Sequence, residues 1–467
     1  MVEERGKPKT ALIALLFFVL IVRLLYLMAF HHQVFLGPST LFEQAFVATN
    51  ILEGNGLKTY QSPPPVVESE EPSQLIDPED YIITSTALVP YIKDVTGYAF
   101  FLSFLWLISG IKLWIFAQGA QVLFDLLASL GLYFLTKTAF GQKAALLCVF
   151  VFSILFFEAR ASVVPYKDIF NLYFMLINTL LAGQIFFQKG KPIVWFTVIC
   201  LVTGLGFYFM PSLVLYPLFL TGILIVIKRI SWKVGLSFLL MAVVMVGLVV
   251  FPHFNHVRSY QDNPQIPEPL FWYRFWLGTK VEVFYSTQEE RFEDYFKEKI
   301  DSTGLTLEEI CKQEFLDYVR NNPLKYVLNT GKKLLFGMFL VYANAGDCTS
   351  AKSWSQYHST QPQASFTDYA RSHPLRILGM ILGTLSISLL FPLSSAAVII
   401  LIRERKGNLA LFFFHIPCYF LLLHMFFHYE ARYLLGTLPG YVPLVGYLMT
   451  KFRLFGRKST QDSAGYR

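Results

Sequence analysis

Residues 10–30 form an apolar block in which Arg23 is the only charge, and blocks of this kind recur along the chain. A hydrocarbon core about 30 Å thick is crossed by about 20 helical residues. Because backbone amides find no water there, such a block must pair them internally as a helix. The block is too long and too poorly flanked by small residues for a cleaved signal peptide, so it indicates a retained first transmembrane helix.

The composition agrees with a chain built mainly from such helices. Hydrophobic residues make up 54% of the sequence and charged residues 15%, whereas about a quarter of a soluble domain is charged. The sequence predicts an all-α polytopic membrane protein with about ten transmembrane helices. The predicted spans are 10–30, 113–135, 143–158, 169–187, 193–208, 211–227, 234–252, 375–402, 409–427 and 433–450.

The Lys and Arg residues of the short connections predict the orientation of the chain. With a cytoplasmic N-terminus, the short outer connections carry only Arg160, Lys167 and Arg432, while every inner connection is basic. This is the distribution that the positive-inside rule requires, so we expect both termini in the cytoplasm. The net charge of +7 reflects this topology and does not indicate nucleic acid. The absence of Asn-x-Ser/Thr acceptor sequences favours a bacterial plasma membrane.

Two long outer loops interrupt the spans. Within the first, the apolar stretch 98–110 is too short to span, so we expect it to lie in the interface or to re-enter the membrane. In the second, helical patterns cover 288–300 and 306–333, with a break at Asn322-Pro323. Because 326–342 contains two lysines, we place it along the membrane surface. The predicted parts are 1–30 (cytoplasmic N-terminus and first span), 31–112 (first outer loop), 113–252 (spans two to seven), 253–374 (second outer loop), 375–450 (spans eight to ten) and 451–467 (basic cytoplasmic tail).

The stretch LFEQAFVATNILEGNGL, residues 41–57, places a single carboxylate, Glu43, in a short helical pattern. We expect a helix lying on the membrane and ended by Gly54. A carboxylate held there can act as a general base on an acceptor hydroxyl or amine. The alternative is a helix-stabilising charge worth about 0.3–1 kcal/mol. The predicted membrane anchors are Phe42, Phe46, Ile51 and Leu52.

Ionisable residues also gather at the predicted outer ends of the spans. Such residues near membrane depth are costly and are candidates for function, although charges also mark where a helix meets water. The set comprises Glu43, Glu158, Arg160, Tyr166, Lys167, Asp168, His253, His256, Arg258, His428, Glu430, Arg432 and Tyr433.

Several of these stretches together resemble the GT-C superfamily of polyprenyl-phosphate-sugar-dependent membrane glycosyltransferases. The resemblance is to bacterial relatives of the dolichyl-phosphate-mannose protein mannosyltransferases and to the lipid A aminoarabinose transferase, and it covers residues 10–450. The order of the motifs is its specific part. The motifs are FEQAFVATNILEGNGL (42–57), PYKDIFNLYF (165–174), TGLGFYFMPSLVLYPLF (203–219), FPHFNHVRSY (251–260), YVRNNPLKYVLNTGKKL (318–334) and EARYLLGTLPGYVPLVGYL (430–448).

The resemblance implies a reaction and roles for individual residues. A sugar moves from a polyprenyl-phosphate donor to a lipid, glycan or protein acceptor on the extracytoplasmic face. Glu43 takes the position of the catalytic base, and Asp168 is a second catalytic acid that orients the acceptor or a cation. Cations are needed because the leaving group is a lipid phosphate. Lys167, Arg258 and Arg432 match these donor-phosphate positions, with Tyr433, His253 and His256 as supporting residues.

The chain departs from the family pattern at several positions. The first loop offers one acid, Glu43, where the family often has two, so no metal pair is indicated; a divalent cation is left open and no other cofactor is expected. Met210 stands where the family often has Arg before a proline, and Ser259 follows Arg258 where the family has Asn. These differences are compatible with a changed donor or with reduced activity.

Arg23 and Asp125 are each the only charge in a predicted span. At about 1.5 Å per residue, Arg23 lies about 10 Å and Asp125 about 18 Å below the outer surface. An arginine side chain is long enough to bridge the difference between these two depths. We predict a structural ion pair between the first two spans. Cys311 and Cys348 share one polar outer loop, where either a disulfide or two free thiols is expected.

Two other function classes compete with the transferase. A transporter or flippase for lipid-linked sugars would favour polar groups at the midplane and paired repeats with broken helices. An envelope polysaccharide polymerase or ligase would share an arginine-rich outer face but lack the acidic first-loop motif. Polar groups at one face and the motif around Glu43 favour the transferase.

Overall fold

The computed structural model describes residues 7–30, 38–60, 88–91, 95–165, 167–260, 271–279, 289–339, 365–372, 388–426 and 435–452, with isolated positions between 374 and 386. The chain is helical almost throughout this part. The helices of the first half are α1 (Lys7–Phe30), α2 (Pro38–Leu52), α3 (Gly97–Ser109), α4 (Trp114–Phe140), α5 (Gln142–Ser153), α6 (Phe156–Val163), α7 (Phe170–Phe186), α8 (Pro192–Phe207), α9 (Tyr216–Val226) and α10 (Trp232–Arg258).

The second half begins with a group of loop helices and ends with three apolar helices. Two 3₁₀ turns, Lys167–Ile169 and Pro211–Leu213, precede α7 and α9. The remaining helices are α11 (Phe271–Thr279), α12 (Glu289–Thr303), α13 (Leu307–Asn321), α14 (Pro323–Phe339), α15 (Phe366–Ser372), α16 (Leu390–Arg403), α17 (Gly407–Phe426) and α18 (Leu438–Lys451).

Four of the described helical stretches are long and apolar enough to cross a membrane. They are Lys9–Met28, Trp114–Phe140, Lys167–Phe186 and Trp232–Arg258, and all four coincide with predicted spans. Five other predicted spans correspond to shorter apolar helices of 10–17 residues. The prediction of a polytopic helical membrane protein is therefore confirmed, while the count of about ten spans stays a prediction.

The predicted span 143–158 is not one continuous helix. Helix α5 ends at Ser153 and α6 starts at Phe156, so the chain breaks at Ile154 and Leu155. A broken helix within a bundle leaves carbonyl groups that need new donors. Arg23 supplies them, because its guanidinium donates to the carbonyl oxygens of Ser153 at 3.0 Å and Phe152 at 3.4 Å.

Helix α18 lies at the centre of the bundle, and its residues from Leu438 to Leu448 are all buried. It packs closely against α5 at Gly446, where a Cβ atom would lie 2.8 Å from the carbonyl oxygen of Ala144 and 2.9 Å from the Cα of Cys148. Small residues at such crossings allow the close backbone approach that holds membrane helices together.

The first long loop contains two short strands besides its helices, so the all-α prediction is incomplete. Strands β1 (Lys58–Tyr60) and β2 (Leu88–Pro90) pair antiparallel, with Thr59 opposite Val89. Asn50 of α2 joins them to the helix, since its side chain donates to the carbonyl oxygen of Lys58 at 3.1 Å. Helix α3 covers the apolar stretch 98–110, and its placement in the interface or within the membrane stays a prediction.

Helix α2 is enclosed by protein, which differs from the predicted helix lying on the membrane. Residues 44–50 are buried in succession, on every side of the helix. Helix α2 packs closely on α3, where Ala45 and Ala48 are small and the Ser103 hydroxyl donates to the carbonyl oxygen of Ala48 at 3.1 Å. It also packs on β1, where Phe46 lies edge-on to Tyr60 at 5.2 Å. The predicted end of the helix is confirmed: α2 stops at Leu52, and Gly54 has a φ of 80°.

The helices of the second long loop pack around a small apolar core formed by Trp276, Phe296, Ile310 and Cys311. Helices α12 to α14 confirm the predicted patterns and the break at Asn322-Pro323. Glu314 fixes three neighbours, accepting from the Trp276 indole at 2.7 Å, the Tyr295 hydroxyl at 2.5 Å and the Lys299 ammonium. Cys348, which the sequence leaves either as a disulfide partner of Cys311 or as a second free thiol, lies outside the described residues.

At the end of α16, Glu404 accepts hydrogen bonds from Lys451 and Lys406. The nearby Lys451, Tyr447 and Lys406 lower the pKa of the Glu404 carboxyl to about 2. A lowered pKa contributes stability above the ordinary value near 4.5, and this contribution is lost as the pH falls from about 4.5 towards 2.

We therefore expect the melting temperature of Glu404→Gln to lie below that of the wild type at pH 7 and to converge with it on acidification. Thermal unfolding in detergent across this pH range measures the difference. A gap between the two proteins that stays constant down to pH 2 would contradict the assignment.

Candidate functional site

Glu43 lies in α2 and is half-buried, and its Oε2 atom is buried. The next residue, Gln44, is buried and anchors the helix at this point. Its side-chain amide donates to the Tyr91 hydroxyl at 3.0 Å and to the carbonyl oxygen of Val95 at 3.3 Å. The carboxylate therefore stands on a helix that is fixed within about one turn of Glu43.

The family-like motif after Glu43 has a structural task of its own. Asn50 accepts from the Asn55 side chain at 3.1 Å while donating to β1. Gly54 and Gly56 have φ values of 80° and 77°, a region that side chains other than glycine rarely adopt. Asn50 and the glycines thus turn the chain from α2 into β1.

Tyr91 connects α2 to the end of α10. Its hydroxyl meets Gln44, and its carbonyl oxygen lies 3.2 Å from Nε2 of His256. His253, one turn earlier in α10, stacks edge-on against Phe207 at 5.3 Å. The structure thus places His256 beside Tyr91, which contacts α2, and His253 against the end of α8. Arg258, the last residue of α10, is exposed.

Lys167 and Asp168 form the 3₁₀ turn that opens α7, and both are buried, at 7% and 4% exposure. Two glutamines of α4 fix the chain just before this turn. Gln118 donates to the carbonyl oxygen of Val163 at 2.9 Å, and Gln121 donates to that of Val164 at 2.9 Å. A lysine and an aspartate are thus held at one place where the backbone cannot shift freely.

Helix α3 joins the Lys167 turn to the first loop. The Tyr98 hydroxyl donates to Oε1 of Gln121 at 3.1 Å, and the Tyr98 ring lies edge-on to Phe170 at 6.0 Å. Direct contacts therefore run from the Glu43 helix through the start of α3 to the Lys167–Asp168 turn. This role of Gln118 and Gln121 was not predicted from the sequence. The pattern that indicates it is two polar residues three apart in an apolar span, because such residues share one helix face.

Helix α6, which precedes this turn, carries two further buried charges, Glu158 and Arg160. The predicted ion pair between Arg23 and Asp125 is confirmed, with 2.5 Å between Nε and Oδ2. Glu158 also pairs with the Arg23 guanidinium, which the sequence did not indicate. All three side chains are buried, so α1, α4 and α6 meet at one charged cluster.

The described residues therefore hold most of the predicted site. The elements bearing Glu43, Lys167, Asp168, His253 and His256 are joined by direct contacts. Arg432 and Tyr433 lie outside the described residues. Within the described part of the chain, no group of three His, Cys, Asp or Glu residues is arranged to hold a metal ion. A half-buried carboxylate such as Glu43 can remove a proton, and a buried lysine such as Lys167 can bind an anion.

Comparison with known proteins gives similarity only to solved structures. No family model matches the chain, and no curated protein matches it. The Archaeoglobus fulgidus oligosaccharyltransferase tethered with an acceptor peptide matches with 13% identity and a TM-score of 0.49, over 95% of this chain and 49% of that one. ArnT from Cupriavidus metallidurans bound to undecaprenyl phosphate matches with 12% identity and a TM-score of 0.48, over 94% and 60%.

Both proteins are membrane glycosyltransferases of the GT-C superfamily, the class that the sequence motifs resemble. This chain spans only about half to three-fifths of their length. Because the TM-scores lie below 0.5, the similarity carries no functional argument, and function is inferred from the site residues.

Proposed function

We propose that this integral membrane protein is a glycosyltransferase that moves a sugar from a polyprenyl-phosphate donor to an acceptor on the extracytoplasmic face. The observation that carries the proposal is the connected placement of Glu43 and the buried Lys167–Asp168 turn. These groups are the base and the cation that such a transfer needs. Their elements are joined through α3, which contacts α2 at Ser103 and α4 at Tyr98, while Gln121 of α4 contacts Val164 just before the turn.

The chemistry assigns one task to each residue. Glu43 removes the proton of the acceptor hydroxyl or amine as that atom attacks the anomeric carbon. The bond from the anomeric carbon to the phosphate oxygen breaks, and the lipid phosphate leaves with the electron pair. Lys167 stabilises the leaving phosphate, aided by Arg258 and Arg432, while Asp168 orients the acceptor. Fixed positions are needed because misplacement of reacting groups by about 1 Å is costly.

A second candidate is transport of a lipid-linked sugar. The specific observation in its favour is the break between α5 and α6, beside buried Arg23, Asp125 and Glu158. Broken helices with charges inside the bundle are typical of transporters. Against it, the same break has its carbonyl groups occupied by Arg23, as expected of a closed structural contact.

The two candidates differ in what happens to the donor. Purified protein in proteoliposomes, supplied with polyprenyl-phosphate sugars and with lipid, glycan and peptide acceptors, is expected to release free polyprenyl phosphate and a glycosylated product. Mass spectrometry of the lipid extract measures both. Movement of an intact donor across the bilayer without its cleavage would reject the transferase and support the transporter.

Lys167→Gln is expected to weaken binding of polyprenyl phosphate by about tenfold or more, because a hydrogen bond to a charged group contributes about 1.5–3 kcal/mol. Native mass spectrometry of the full chain with polyprenyl phosphate measures the affinity. The matched control is Lys112→Gln, since Lys112 is partly exposed and pairs with Glu53; its affinity is expected to equal that of the wild type. Equal affinity for the Lys167 variant would remove Lys167 from the donor site.

A further inference from the structure

Helix α14 has its polar and apolar sides reversed relative to a helix on a water-exposed loop. Leu324, Val327, Leu328 and Leu335 are 72%, 63%, 59% and 54% exposed. On the opposite side, Asn329, Thr330 and Lys333 are at most 9% exposed. An amphipathic helix of a soluble surface buries its apolar side instead. The environment facing α14 is therefore apolar.

The buried side of α14 is bound to its neighbours by polar contacts. The Asn329 amide donates to the Tyr318 hydroxyl of α13 at 3.1 Å and to the carbonyl oxygen of Thr279 of α11 at 3.4 Å. Burial lowers the pKa of the Lys333 ammonium to about 8. The helix also packs against α16 and α17, so its rotation is set by the protein and its apolar side must face outward.

Two exposed lysines border the apolar side. At about 100° per residue, Lys325 and Lys332 lie about 80–100° round the helix from Leu324, on the same side of it. Both are exposed. A lysine-bordered apolar surface is the pattern of helices that lie in a bilayer interface and attract anionic lipids. The core of a protein–protein interface is by contrast depleted of lysine.

We propose that α14 is a docking surface for anionic phospholipids of the outer leaflet, with its leucines and valine in the acyl region and Lys325 and Lys332 at the phosphates. The two helices against which α14 packs also expose apolar side chains, since Leu389 before α16 and Leu422 of α17 are about half exposed. Lipid binding here holds the α11–α14 loop helices at the membrane. The inference is independent of the proposed transfer reaction.

The experiment uses the full chain in nanodiscs that contain phosphatidylglycerol and an excess of phosphatidylcholine. A photo-crosslinking residue, p-benzoylphenylalanine, replaces Leu328, or exposed Gln313 of α13 as the control position. After irradiation, mass spectrometry identifies the adducts. We expect phospholipid adducts at position 328, enriched in phosphatidylglycerol relative to its share of the disc, and none at position 313.

Charge reversal then tests the lysines. A lysine near an anionic surface contributes about fivefold to binding, so Lys325→Glu with Lys332→Glu is expected to reduce the enrichment by at least about tenfold. Lys297→Glu on α12 is the matched control, because Lys297 is exposed on another loop helix, and we expect it to leave the enrichment unchanged.

Four results would overturn the proposal. An adduct between position 328 and a second copy of the chain would make the surface a protein–protein interface. Absence of lipid adducts at position 328 would show that the helix does not meet the bilayer. Lipid adducts with no phosphatidylglycerol enrichment, or with an enrichment that survives reversal of both lysines, would reject anionic lipid recognition.

Discussion

Glu43→Gln is expected to retain the fold and to reduce sugar transfer by at least about 10²-fold, the lower end of what a positioned general base contributes. Glutamine keeps the volume and an oxygen that accepts hydrogen bonds but cannot take the acceptor proton. Since Gln44 and Asn50 hold α2 through their own hydrogen bonds, the helix does not depend on the charge of Glu43. Release of polyprenyl phosphate from a polyprenyl-phosphate sugar measures the turnover.

Glu53→Gln is the matched control, because Glu53 follows the same helix and its pair with Lys112, at 3.4 Å, is exposed. We expect it to turn over at the wild-type rate. Both variants are compared at equal amounts of monodisperse protein, and binding of polyprenyl phosphate is expected to persist in each. Wild-type turnover by the Glu43 variant would exclude Glu43 as the base.

The second large effect is on stability and concerns Arg23. Arg23→Leu leaves the Asp125 and Glu158 carboxylates and the carbonyls of Phe152 and Ser153 without their guanidinium partner. Removing one member of a buried ion pair costs about 3–5 kcal/mol, because the remaining charge is uncompensated. We expect the variant to unfold far more readily than the wild type in a denaturant titration.

Arg23→Lys is the graded control: it keeps the charge and loses the planar fork that reaches several acceptors. Its stability is expected to lie between those of the wild type and Arg23→Leu. Asp125→Asn is expected to lower the free energy of unfolding more strongly than the activity per folded molecule, because the ion pair is structural. An Arg23→Leu protein as stable as the wild type would contradict the clamping role of this cluster.

The sequence predicted the helices and the ion pair because each leaves a signal that can be read within a single span. An apolar block of about 20 residues must be helical in a membrane, and a lone arginine and a lone aspartate in neighbouring spans need each other. The break after Ser153 was not predictable in this way. It depends on Arg23 reaching the carbonyls from a helix about 130 residues away, a long-range contact that no local pattern records.

The surroundings of Glu43 show the same division. Gly54 correctly predicted the end of α2, because a glycine in the left-handed conformation at a helix end is a local feature of the sequence. The enclosure of residues 44–50 was missed because an apolar helix face looks alike whether it meets lipid or protein. Only the placement of α3 and Tyr91 decides between them. Roles for Glu43, Asp168, Lys167 and Arg258 accordingly stay predictions that need a bound donor.

The most direct test of the account is a cryo-electron microscopy structure of the wild-type protein in nanodiscs with undecaprenyl phosphate. We predict that a phosphate oxygen lies within about 3 Å of the Lys167 Nζ atom, with the Glu43 carboxylate facing the same phosphate. A phosphate bound instead at Arg23, beside the break between α5 and α6, would contradict the transferase and place a lipid path inside the bundle.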